Sequence, residues 1–91
     1  MIFMTTYTIK PFLTKAERRE LMETFAKHGP GPGITEHYAA ADGSIGIAIN
    51  DTDDVAGLYR NIQNYEEWVQ YDTKVVLPIE EAVPHIMDAL A

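Results

Sequence analysis

Between residues 2 and 10, β-branched and aromatic side chains crowd together and Pro11 closes the run, which predicts a first strand. Phe3, Thr5, Tyr7 and Ile9 fall on one of its sides, and Met4, Thr6 and Thr8 on the other. The period then changes. Leu21, Met22, Phe25 and Ala26 recur at helical spacing, with Arg19, Glu20, Glu23 and Lys27 on the opposite side. Thr14-Lys15-Ala16-Glu17 opens this helix as a capping box, and Gly29 stops it.

After a Gly/Pro connection over 29–33, two short runs at 34–41 and 44–50 flank Asp42-Gly43, a hairpin signal. That turn sets the register: Ala40 against Ile45, Ala39 against Gly46, Tyr38 against Ile47, His37 against Ala48, Glu36 against Ile49. One hairpin face is then bulky (Ile34, Tyr38, Ile45, Ile47, Ile49). The other is small (Ala39, Ala41, Gly46, Ala48), with His37 among them. Residues 51–54 start a second helix with Val55, Leu58, Tyr59 and Ile62 as its stripe, and 64–68 form an extra turn. A last strand covers 71–77 up to Pro78. A short C-terminal helix carries Ala82, Val83, Ile86, Met87 and Leu90, and Pro84 requires it to begin near Val83.

The order β-α-β-β-α-β plus a short C-terminal helix predicts one α+β domain over 1–91. It is ferredoxin-like, with a four-stranded antiparallel sheet and two helices on one face. The isoleucine face is expected to meet the helices. The small-residue face then needs a cover, and a second copy of the sheet supplies one, so a homodimer is expected.

Ala41-Asp42-Gly43 in the hairpin, Asp53-Asp54 opening a helix, Leu58-Tyr59-Arg60 within it, and Tyr71 and Pro78 around the last strand resemble a bacterial and phage family of unknown function in the dimeric α+β barrel superfamily. The likeness runs from Thr5 to about Leu90. That superfamily includes small monooxygenases of antibiotic biosynthesis, muconolactone isomerases and haem-degrading enzymes. The resemblance implies the dimeric barrel but carries over no catalytic residue. For the Asn/Trp/His set of the haem-degrading members the first strand offers only Thr, Tyr and Met, so that activity is not expected.

Composition narrows the function classes. The net charge is −7 and the seven Lys and Arg are scattered, which argues against nucleic acid and against an anionic membrane. There is no cysteine, hence no disulfide and no thiolate zinc site. No apolar run approaches a membrane span, and residues 1–4 are too short for a signal-peptide core, so the expected compartment is the cytoplasm. Asp51-Thr52-Asp53-Asp54 departs from a calcium loop at Ala56 and Ile62 and reads as a helix cap. The three histidines lie on separate elements, so neither a metal nor a cofactor is expected. His28 reads as a cation at a helix C-terminus and His85 as an exposed helix residue.

Two sets of residues hold candidate chemistry. His37, on the small face, suits either a general acid/base lining a cavity or a hydrogen bond at an interface. Of the aromatic set Tyr7, Tyr59, Tyr65, Trp68 and Tyr71, the ones expected to line a ligand pocket are Tyr7, Tyr59 and Trp68. The leading reading is a small-molecule-binding domain with its pocket between sheet and helices. The alternatives are a non-catalytic protein-interaction module and a cofactor-independent monooxygenase- or isomerase-like enzyme.

Overall fold

The computed structural model describes residues 1–91. Its elements are β1 (Ile2–Ile9), α1 (Lys15–His28), β2 (Ile34–Ala39), β3 (Ile45–Asp51), α2 (Val55–Gln63), β4 (Val69–Val76) and α3 (Ile79–Ala89). The strands form one sheet in the order β2-β3-β1-β4, and every neighbouring pair is antiparallel. This is the ferredoxin-like arrangement. The β2–β3 register is the one the Asp42-Gly43 turn dictates, with Glu36 opposite Ile49, His37 opposite Ala48, Tyr38 opposite Ile47 and Ala39 opposite Gly46. Asp42 braces the turn by accepting from the Ser44 amide at 3.0 Å and its hydroxyl at 2.7 Å. These two bonds hold its carboxyl below the usual carboxylate range. A bulge between Ile34 and Glu36 puts Ile34 opposite Asn50, off the isoleucine face expected for it.

The helix ends follow their sequence signals. The Thr14 hydroxyl accepts from the Glu17 amide at 3.0 Å and the Glu17 carboxylate accepts from the Thr14 amide at 3.2 Å, completing the capping box. Gly29, at φ 71°, takes a positive-φ conformation open chiefly to glycine, which ends α1, and donates its N–H to the Phe25 carbonyl. Asp54 caps α2 through the Gly57 amide. At α3 the expectation fails: the helix starts at Ile79, not Val83, and Pro84 lies inside it. Pro78 supplies the N-cap carbonyl, which accepts from Glu81 and Ala82. The hydrogen bond that Pro84 cannot make would have gone to Glu80, whose exposed turn faces water.

The sheet faces are reversed from the expectation. Phe3, Thr5, Gly46, Ala48, Asn50 and Val69 are the buried sheet residues, and they share the side of Tyr7, His37 and Tyr71. The small-residue face therefore lies under α1 and α2, and the isoleucine face is turned away from them. The reason lies across the strands. Tyr7 of β1 sits opposite Gly46, and Tyr71 of β4 sits opposite Tyr7. The bulk on the covered side comes from these rings, so β3 has room only for small groups. A methyl group at Gly46 would overlap the Tyr7 ring.

Packing is concentrated at one end, where Tyr65, Trp68 and Val69 are buried against Leu13, Leu21 and Phe25. Only 9 of 91 residues are buried, so the space between sheet and helices is not filled as a core. α3 buries none of its residues. The radius of gyration is 15.8 Å, against about 12 Å for a compact domain of this length.

Candidate functional site

The 29–33 connection is held chiefly by side chains, with its ends also tied by the backbone through Gly29 N–H to the Phe25 carbonyl and the Asp51 amide to the Gly33 carbonyl. Asn50 donates from Nδ2 to the carbonyls of Pro30 at 3.3 Å and Pro32 at 2.9 Å. Asn61 donates from Nδ2 to the carbonyls of His28 and Gly29. The Tyr65 hydroxyl donates to the Gly29 carbonyl at 2.6 Å. This fixed connection forms one end of a cavity of about 350 Å³ between the sheet and the two helices, within the range of small-molecule sites. Its floor is Thr5, Tyr7, Ala48 and Tyr71. Leu21, Met22 and Phe25 of α1 and Leu58 and Ile62 of α2 form its roof.

At the β2 end, the Tyr7 hydroxyl and His37 Nε2 are 2.6 Å apart. The two rings meet edge to face at 5.7 Å, and Phe25 stands 5.9 Å from the His37 ring on another side. Burial pushes the Tyr7 phenol up from its ordinary pKa, so it is a neutral O–H at neutral pH. When His37 carries its proton on Nδ1, that O–H donates to Nε2; when Nε2 is protonated, the direction reverses and the phenol O–H is released to the cavity. Tyr71, 6.0 Å from the Tyr7 ring, is raised further, by burial first and then by its neighbours Tyr65, Tyr7 and Glu66. On the floor, the Thr5 and Thr73 hydroxyls pair at 2.9 Å.

No Asp, Glu, Lys or Arg lines the cavity. A charged ligand would find no counter-charge there, so the site suits an uncharged one. No three His, Asp or Glu side chains converge on a point that would hold a metal ion.

Of the residues selected from sequence, the fold brings Tyr7 and His37 together on the cavity wall. Tyr59 is exposed on α2 and Trp68 is packed in the cluster with Tyr65 and Val69; neither lines the cavity. His28 and His85 are exposed. Sequence reasoning passed over Tyr71, Asn50 and Asn61. For Asn50 a signal existed: it continues the parity of Gly46 and Ala48 along β3, an amide on the small-residue face that was expected to be covered by a second copy.

Comparison with curated proteins gives no match. The match that the chain does show extends over its whole fold. The chain belongs to the family described as a domain of unknown function, DUF3303, whose model matches residues 1–90.

Proposed function

We propose that this domain binds an uncharged, largely apolar small molecule between its sheet and helices, and that it does so as a homodimer. The observation that carries the binding reading is the 350 Å³ cavity standing where a core would be, walled by apolar side chains with the Tyr7–His37 pair at its edge. A cleft of this size in a 91-residue chain leaves its apolar lining facing water, and an apolar occupant takes that surface out of water. The test is thermal shift with neutral two-ring compounds (naphthalene, indole, quinoline) on the wild-type chain and on Ala48→Phe, which fills the floor. The expected result is stabilisation of the wild type and none of the variant. Equal shifts in both would place the compounds elsewhere and remove the reading.

The dimer rests on surface. The chain exposes 6637 Å², roughly 1,300 Å² more than the about 5,300 Å² of a compact monomer of its mass. Two copies that each bury even half of that excess reach the area of a standard stable interface. The apolar groups left over lie on the outer sheet face (Met4, Tyr38, Ile47) and on α3 (Val83, Ile86, Met87). This supports the dimeric α+β barrel, with the sheets apposed through their isoleucine faces instead of their small-residue faces. Sedimentation velocity at micromolar concentration is expected to give a dimer; a monomer there would exclude it.

A further inference from the structure

The polar atoms of the cavity specify more than its volume, on the reading that it holds a neutral ligand. Asn50 is 1 % exposed and lines the cavity. Its amide orientation is fixed chemically: Nδ2 meets the carbonyls of Pro30 and Pro32, and a carbonyl accepts only from the nitrogen side. The oxygen therefore points the other way. Among the hydrogen bonds of the chain none is donated to Asn50 Oδ1, yet no fully buried side-chain polar atom is without a partner. Both statements hold together only if Oδ1 keeps some accessible surface, on a side chain that lines the cavity. Among the cavity-lining residues, Ala48, Leu58 and Pro30 have no side-chain donor, and the Asn61 amide already donates to the His28 and Gly29 carbonyls.

We infer that the ligand is a neutral planar ring compound that donates an N–H or O–H to Asn50 Oδ1. A buried amide oxygen that leaves water without a donor carries a desolvation penalty, and a ligand donor removes it. A ligand without that donor leaves the penalty in place, so the site discriminates by the donor and not by size. The ring then lies over Ala48, whose short side chain leaves the floor open, and beneath Phe25. The Tyr7–His37 pair meets its far edge; Asn50 and Ala48 are two residues apart, about 7 Å along the strand, close to the width of one ring.

The test uses three probes on the wild-type protein: indole, 3-methylindole and 1-methylindole. The two methylated compounds share size and hydrophobicity, and only 1-methylindole lacks the N–H. Titration is followed by calorimetry and by the Asn50 side-chain amide signals in a ¹H–¹⁵N spectrum. Indole and 3-methylindole are expected to bind alike and to shift those signals, and 1-methylindole to bind at least about tenfold more weakly. Equal binding of all three, lost in Ala48→Phe, overturns the donor assignment and leaves the cavity reading standing. Absence of binding by all three overturns both.

Discussion

The two faces of this sheet are built on opposite plans. Beneath the helices, β3 contributes Gly46, Ala48 and Asn50, and the volume above them is shared between tyrosine rings from neighbouring strands and an empty space. On the outer side the same strand contributes Ile45, Ile47 and Ile49, with Ile47 and Met4 each 36 % exposed. The face with apparent bulk is open, and the face with apparent hollowness is covered. Side-chain size on one strand therefore does not tell which side is buried; the sum over neighbouring strands does.

The contrast is broken most severely at Ile47. Ile47→Asp puts a charge at the centre of the outer face and is expected to weaken dimerisation at least about thirtyfold, as loss of a central contact worth about 2 kcal/mol or more. Sedimentation equilibrium reads this, and an unchanged association constant would show that the outer face is not the interface. On the covered face, Gly46→Ala drives a methyl group into the Tyr7 ring and is expected to cost about 1–3 kcal/mol in urea denaturation. The same change in a Tyr7→Ala background should cost much less, because the clash partner is gone.

A smaller effect separates two adjacent threonines. Thr5→Val removes the buried partner of the Thr73 hydroxyl and is expected to cost about 1 kcal/mol. Thr6→Val, on the outer face, should stay within about 0.5 kcal/mol. Equal costs would erase the distinction between the faces at that point.

The smallest effect at neutral pH is the titration of the covered tyrosines. Tyr7 and Tyr71 both have their pKa raised above the ordinary 10.0 by burial. The unfolded chain therefore loses these protons first, so the contribution of these two groups to stability is full below about pH 10 and is lost as pH rises above it. Urea midpoints from pH 8 to 11 follow this decline, and Tyr71→Phe is expected to make it shallower.

What could be read from residues alone was whatever is fixed locally. Asp42-Gly43 determines the β2–β3 register because a tight turn leaves the strands no freedom to slip. Thr14 and Glu17 determine the start of α1 because their hydrogen bonds close within one turn. The orientation of the sheet escaped because it depends on Tyr7 and Tyr71 meeting across β1 and β4, a contact between residues 64 positions apart. Tyr7 and His37 were each identifiable as candidates for lining a pocket. Their pairing was not, since it needs the β1–β3 and β3–β2 registers together. Pro84 misled for a different reason: one lost hydrogen bond in an exposed helix costs less when water donates to the orphaned carbonyl.

The clamped connection at 29–33 also dictates traffic. Asn50, Asn61 and Tyr65 together fasten the carbonyls of His28, Gly29, Pro30 and Pro32, so opening that wall means breaking several bonds at once. The opposite wall is an edge strand whose side chains from Thr35 to Ala39 stand in solvent. The ligand proposed above would pass there, and the imidazole of His37 would be the polar group it meets on the threshold.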